Sequence, residues 1–425
     1  MTKDRPLGGS WDRRKFLATV GGATSYVRAN RKLTAAEAQA STPLKNATFL
    51  GDKFVSWQAP YGGPDPKKCP YRTPGKFDAY HLHGCGPMAR ALYRLYRATN
   101  NDKYKAAADG YALFLINALH DPPTPFTNTL VIDGAKRTSL SSSWMYGKAL
   151  APCYEEFCKH NPNEDFLERK AITLFRWLQR HRRDDSYFGV GYPAPNKAPD
   201  CQNSCDLGEV GYGLMGYYEI SRRPEVLKDA VGLAKFFLTD YVEGAGKGIW
   251  SPRLGVWLVS LWPASGEHMT DQAINRVGWG WSAYIDSEYL LRLRAVIDDK
   301  AMRTAIADKS VKALRWCLDV CQFDDGAHGM VVRDDKWVGM TAAAVLLYEA
   351  LIRYQAISAK DKAALHPRIE KSWQWLVKHT TPETFPADGY IAVTRKTTKR
   401  PLENLTWMMA WTCEALLLGP TVFKT

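Results

Sequence analysis

The chain has 425 residues, of which 45% are hydrophobic and 24% charged, and carries a net charge of +13. That balance excludes a disordered or fibrous chain and allows a large buried core. No apolar run reaches the roughly 18 residues a membrane span requires, and neither a compact Lys/Arg stripe nor a known motif marks a nucleic-acid surface.

Residues 1–40 stand apart from the rest. Trp11-Asp12-Arg13-Arg14-Lys15-Phe16-Leu17-Ala18 resembles the twin-arginine export motif, and a modest apolar stretch runs from Phe16 to Val27. Ala38-Gln39-Ala40 offers a small-x-small cleavage site before Ser41. Export of an already folded protein, to the periplasm or beyond, is therefore expected. Residues 1–40 hold eight Lys/Arg and three Asp/Glu, so +5 of the charge resides there and +8 in the remainder. A basic exported protein suits an anionic partner such as a uronate or sulfated glycan. Residues 41–78 are expected to be an extension packing on the helical body that fills 79–425, and the protein is expected to act as a monomer.

Six times a helical segment rich in Gly, Ala and aromatics follows a polar or Trp-bearing loop, starting near Gly84, Ser142, Gly208, Gly278, Val338 and Asn404. Five of the six are followed by an ordinary amphipathic helix. A two-helix unit recurring every roughly 60–70 residues predicts a closed ring of helical hairpins. The first unit runs through Tyr96, turns at Thr99-Asn100-Asn101-Asp102 with Asp102 as helix cap, and returns to Leu119. The second starts at Ser141-Ser142-Ser143-Trp144 and returns over 163–180. The third starts at Asp206 and returns over 223–241. The fourth opens on Asn275-Arg276-Val277-Gly278-Trp279-Gly280-Trp281 and returns over 301–321. The fifth opens at Lys336-Trp337 and returns over 361–379. The sixth, from Glu403 to Leu418, has no return helix. Either that hairpin is incomplete or residues 41–78 supply its outer wall. Short strands are expected near 254–261 and 390–394, and no β-domain.

A ring of hairpins gathers the first turns of its inner helices at one rim, where unpaired N–H groups and dipole ends favour anions. The residues so gathered are His81 and His83; Trp144; Asp206, Glu209 and Tyr212; Arg276, Trp279 and Trp281; Trp337; and Glu403, Asn404 and Trp407. Flat aromatics beside charged and amide groups are suited to sugar rings, whose faces stack and whose hydroxyls need partners. Trp144, Trp279, Trp281, Trp337, Glu403, Asn404 and Trp407 are thus the candidate substrate-binding residues.

All nine Cys lie beyond residue 68. Cys317 and Cys321, one helical turn apart, read as core thiols, whereas Cys201 and Cys205 bracket a polar loop and are candidates for a disulfide after export. His81, His83 and Cys85 are ligand types at close spacing, yet lack a fourth partner. No metal and no cofactor is expected.

In architecture, residues 80–418 resemble the (α/α)6 toroid families: the six-hairpin glycosidases and the helical polysaccharide lyases. Asn275-Arg276-Val277-Gly278-Trp279-Gly280-Trp281 is similar to the Arg-Gly-x-Gly-Trp stretch of hydrolases that remove unsaturated uronyl residues, with Val277 in place of the first Gly. Gln322-Phe323-Asp324-Asp325-Gly326-Ala327-His328-Gly329 resembles the structural repeat of terpenoid cyclases. It occurs once, without a protonation motif, and Asp325-Gly326 reads as a plain turn. The toroid resemblance implies an exported enzyme that degrades a uronate-containing polysaccharide, with a non-catalytic glycan-binding toroid as an alternative.

Two chemistries compete for the rim. Elimination needs a group to neutralise the uronate carboxylate, a base, and an acid for the leaving oxygen. Arg276 and Asn404 are candidates for the first role, His83 for the second and Tyr212 for the third. Hydrolysis needs paired carboxylates, for which Asp206, Glu209, Glu403 and the deeper Asp286 are candidates. Elimination is favoured because the hydrolase motif is incomplete.

Overall fold

A computed structural model describes residues 42–65, 68–69, 79–118, 129–132, 135–138, 156–157, 160–161, 204–241, 248–258, 280–329, 335–383, 392–394 and 406–423. Its helices are α1 (Thr42–Ser56), α2 (Ala79–Thr99), α3 (Asp102–Ala118), α4 (Ser204–Ser221), α5 (Pro224–Leu238), α6 (Gly280–Arg294), α7 (Lys300–Trp316), α8 (Val338–Arg353), α9 (Ala359–His379) and α10 (Thr406–Val422). Most of the second expected hairpin, Trp144 included, lies outside the described residues.

The helices pair as the repeat predicts: α2 with α3, α4 with α5, α6 with α7, and α8 with α9. A second set of contacts joins the first members in the order α4, α6, α8, α10, α2. Among the described residues these five form the inner wall. The last inner helix is covered by α1, which also touches α2, α3 and α9. Asn46 Nδ2 donates to the Val377 carbonyl (2.8 Å) and the Cys413 thiol to the Ala47 carbonyl (3.5 Å), fastening the two ends of the chain. The sixth hairpin therefore has its outer helix, drawn from the beginning of the sequence.

The inner helices are glycine-rich because they approach one another closely. A methyl group on Gly84 would strike the Thr406 side chain, one on Gly208 the Asp286 carboxylate, and one on Gly339 the Met408 side chain. Outer helices instead show ordinary capping: Asp299 Oδ1 accepts from Met302 N (2.9 Å) and Ser358 Oγ from Asp361 N (3.0 Å). The expected cap at Asp102 moves back by one residue. Asn101 Oδ1 accepts from Lys103 N (3.2 Å), leaving Asp102 inside the first turn, where its charge complements the helix dipole.

Three inner-to-outer turns share one backbone device. Asn100, Arg222 and Gln355 lie just past α2, α4 and α8 with φ of 53°, 52° and 51°. Such left-handed residues close a helix end and reverse the chain. After α7 a single π-turn, Cys317–Cys321, leads into the Asp325-Gly326 turn, where Gly326 has φ of 98° and Ala327 N donates to Asp325 Oδ1 (3.1 Å). Cys317 and Cys321 are buried free thiols, as expected of core positions. His328, also buried, meets Ser372 Oγ through Nε2 (2.9 Å), while its backbone N donates to Thr341 Oγ1 (3.0 Å). The element is a staple between hairpins.

Strands among the described residues are short antiparallel ribbons: β1 (Thr129–Ile132) with β2 (Ala135–Thr138), β3 (Trp250–Ser251) with β4 (Val256–Trp257), and β5 (Asp335–Trp337) with β6 (Ala392–Thr394). β4 and β6 fall where strands were expected. No described helix is long and apolar enough to cross a membrane.

Candidate active site

One side chain defines the centre of the ring. Arg90, on α2, donates through Nε to Glu414 Oε1 on α10 (2.9 Å) and through Nη1 to Tyr212 Oη on α4 (2.7 Å). Its Nη2 lies 3.5 Å from Tyr284 Oη on α6. Along the inner wall α6 is two helices removed from α10, and α4 three. Only a side chain directed into the lumen can reach all of them.

Other charged groups lie beside this layer and along the later turns of the inner helices. Arg94 joins Arg90 on Glu414, at 2.6 Å from Oε2. Arg292, on α6, lies over the Tyr212 ring at 4.4 Å from its centroid, and is itself held by both oxygens of Glu219 (3.1 and 2.7 Å). Tyr212 thus has one guanidinium on its oxygen and another on its face, an arrangement stabilised by the ring's negative face. Arg353 bridges Glu288 (2.9 Å) and Glu349 (3.3 Å). Burial pushes the Glu349 carboxyl above its ordinary range, against the pull of Arg353. Beside Arg90 stands an aromatic wall, with Tyr284 edge-on to Trp411 (5.2 Å) and Trp411 edge-on to Trp407 (4.6 Å).

Three predicted site residues can be placed with their side chains: Glu209, Tyr212 and Trp407 are 6%, 5% and 3% exposed. They are enclosed rather than at the mouth. Tyr212 follows the start of α4 by eight residues, which sets it roughly 12 Å down the lumen at 1.5 Å per residue. The remainder stand differently. His83 opens the second turn of α2, Trp281 lies in the first turn of α6, and Trp337 ends β5, with only their backbone described. Arg276, Trp279, Glu403, Asn404 and Trp144 lie outside the described residues.

Helical register connects these placements to the Arg90 layer. His83 precedes Arg90 by seven residues and Trp407 precedes Glu414 by seven, two turns along the same helix face. Glu209 and Trp281 precede Tyr212 and Tyr284 by three, one turn along. The backbone thus sets these four predicted positions one or two turns above the charged floor. Sequence reasoning missed the floor itself: Arg90, Arg94, Arg292 and Glu414. A signal existed, since Glu414 is the sole charged residue of α10. Asp286, the deeper hydrolytic candidate, is wholly buried and set against Gly208 of the neighbouring inner helix. Among the described residues no cluster of three or more His, Cys, Asp or Glu is placed to hold a metal.

Neither a protein-family model nor a curated protein matches the sequence. Solved structures do resemble the fold. A possible member of the GH105 family from Salmonella enterica serovar Paratyphi A is 15% identical, with 92% of this chain and 95% of that one covered, at a TM-score of 0.60. The α-1,6-mannanase GH76A of Salegentibacter sp. HEL1_6, in complex with α-1,6-mannotetrose, is 13% identical over 89% and 100% of the chains, at 0.59. Cellobiose 2-epimerase from Bacillus thermoamylovorans is 11% identical over 87% and 99%, at 0.60. At such identities the likeness establishes architecture: the chain is an (α/α)6 toroid.

Proposed function

We propose that this toroid is a carbohydrate-active enzyme that cleaves a uronate-containing glycan by β-elimination, as a monomer exported through the twin-arginine route. The observation that carries the reading is the Arg90–Tyr212 hydrogen bond within the lumen. A phenolic oxygen that accepts from a guanidinium directs its own proton to another acceptor. Tyr212 is then oriented as an acid for a departing glycosidic oxygen. The similar solved structures, a mannanase and an epimerase among them, support carbohydrate as the substrate class.

The step balances as follows. A base, assigned to His83, removes the proton on the ring carbon bearing the carboxylate. The electron pair forms a double bond to the neighbouring ring carbon, whose bond to the glycosidic oxygen breaks. Tyr212 protonates that oxygen. Arg276 and Asn404 neutralise the uronate carboxylate, while Trp144, Trp279, Trp281, Trp337 and Trp407 stack on sugar rings and Glu403 binds hydroxyls.

Hydrolysis is the second reading, favoured by a separate observation. Glu209 and Asp286 are buried carboxylates on neighbouring inner helices, and paired carboxylates are what glycoside hydrolysis needs. Incubation of residues 41–425 with a panel of uronate polysaccharides separates the two. Ultraviolet absorbance from a conjugated double bond, abolished by Tyr212→Phe and His83→Ala, supports elimination. New reducing ends without that absorbance move the assignment to the carboxylates. Silence on both readouts sinks the uronate reading. Export is tested by replacing Arg13 and Arg14 with Lys, which is expected to leave the folded protein in the cytoplasm.

A further inference from the structure

We infer that Arg292 is a positioning residue: held by Glu219, it lies on the face of Tyr212 and stabilises the phenolate left when that residue gives up its proton. This rests on the reading of Tyr212 as the acid. The Arg292 guanidinium stands 4.4 Å from the centroid of the Tyr212 ring, nearer than that of Arg90 at 5.4 Å. Arg90 serves the oxygen instead, donating through Nη1 at 2.7 Å. One cation therefore approaches the hydroxyl and a second covers the π-face. Both positions favour negative charge on the phenol.

Arg292 is itself placed with little freedom. Its Nε and Nη2 donate to the two oxygens of Glu219 (3.1 and 2.7 Å), a two-point pairing that fixes the plane of a guanidinium. Glu219 follows Tyr212 by seven residues on α4, two turns along one face, and Arg292 reaches across from α6 to both. The Arg292 side chain is 3% exposed and that of Glu219 40%, so the anchor is partly wet and the cation is not. A desolvated cation acts more strongly on an aromatic face than one screened by water. The carboxylates nearby are each taken up by a guanidinium: Glu219 by Arg292, and Glu414 by Arg90 and Arg94. Glu209, one turn before Tyr212 on α4, opposes the two cations, whose direct contacts give them the greater weight. Tyr284 provides a contrast within the same layer. Arg90 reaches its oxygen only at 3.5 Å, and burial pushes its phenol above the ordinary range. Of the two phenols on Arg90, Tyr212 is the one that Arg292 covers.

The test follows the ionisation of Tyr212 by NMR in the full chain made with isotope-labelled tyrosine, its Cζ resonance identified by loss in Tyr212→Phe. Arg292→Met keeps a side chain of some reach without the charge. It is expected to move that ionisation to higher pH by about one unit, a tenfold change in proton affinity. Arg292→Lys is expected to move it less. On galacturonate and mannuronate homopolymers, Arg292→Met should lose about tenfold in kcat with KM little changed, and Arg292→Lys should recover part of it. Should Arg292→Met fail to fold, Glu219→Gln loosens the anchor at a partly exposed position and is expected to shift the resonance in the same direction. Coincident titrations in wild type and variant overturn the inference and leave Arg292 as a rivet between α4 and α6. A wild-type Tyr212 that does not ionise before the protein unfolds in alkali overturns it as well. A shifted titration without unsaturated product removes elimination and leaves the clamp on Tyr212 standing. Unsaturated product with an unshifted titration keeps elimination and removes the clamp.

Discussion

Arg90 and Glu414 meet at 2.9 Å between the first and last inner helices, 7% and 0% exposed. A buried pair is costly to break because the remaining charge has no solvent to turn to. Glu414→Ala strands both Arg90 and Arg94, and is expected to lower unfolding stability by about 3–5 kcal/mol. Glu414→Gln, which keeps an acceptor, is expected to lose less. Urea unfolding of the two variants checks the order; equal losses would contradict it.

Tyr212→Phe deletes the oxygen on which Arg90 rests while keeping the ring beneath Arg292. Lost acid catalysis predicts a fall in kcat of about 10²–10⁴-fold. Loss of one hydrogen-bond partner predicts a stability cost of only about 1–3 kcal/mol. Turnover and unfolding measured on the same preparation test the contrast, and an unchanged kcat excludes Tyr212 as the acid.

Gly211 lies against the Tyr289 ring, and a Cβ at that position would stand only 2.5–2.6 Å from three ring carbons, closer than van der Waals contact allows. Tyr289 cannot withdraw, because its hydroxyl is held by the Ala230 carbonyl. Gly211→Ala is therefore expected to cost about 1–3 kcal/mol through overpacking. Thermal denaturation provides the measure.

Burial, reinforced by Arg368, lowers the His328 pKa from 6.5 to about 3. In this range the unfolded chain binds the proton more readily than the folded one, so stability rises with pH. The contribution is complete above the unfolded value and is lost as pH falls from about 6.5 towards 3. Stability is expected to drop by about 2 kcal/mol between pH 7 and pH 5 on this account. His328→Gln should flatten that part of the profile in urea titrations at the two pH values.

Gln355 occupies a left-handed conformation, with φ of 51°, that its side chain disfavours. Relief of that strain in Gln355→Gly is worth up to about 1–2 kcal/mol, partly offset by about 0.5–1 kcal/mol of added chain entropy. The variant is expected to unfold at slightly higher urea. A clear loss of stability would mean that the Gln side chain contributes more than its backbone strain costs.

The hairpin repeat was legible because inner helices need glycine for close approach and outer ones need an ordinary polar face. Gly84 opposite Thr406 and Gly208 opposite Asp286 are the physical form of that pattern. Boundaries were less so: Lys336 and Trp337 read as helix start but belong to β5, whose partner β6 lies far along the chain. The charged floor escaped for a related reason. Arg90 and Arg94 are four residues apart, the spacing of a solvated helix stripe, and nothing local reveals that Glu414 waits on the other side. Long-range pairing decides burial, and spacing alone cannot report it.

The fastening of α1 onto α9 and α10 has a consequence for how the molecule is made. Asn46 bonds to Val377 and Cys413 to Ala47, across separations of 331 and 366 residues. Non-local closure of this kind slows folding, since the entropy of ordering a long chain is spent before the contacts repay it. During synthesis the side of α1 that meets α9 and α10 must wait until those helices have been made. The ring is thus zipped shut only once α10 has been made, and until then α1 is a natural foothold for a chaperone.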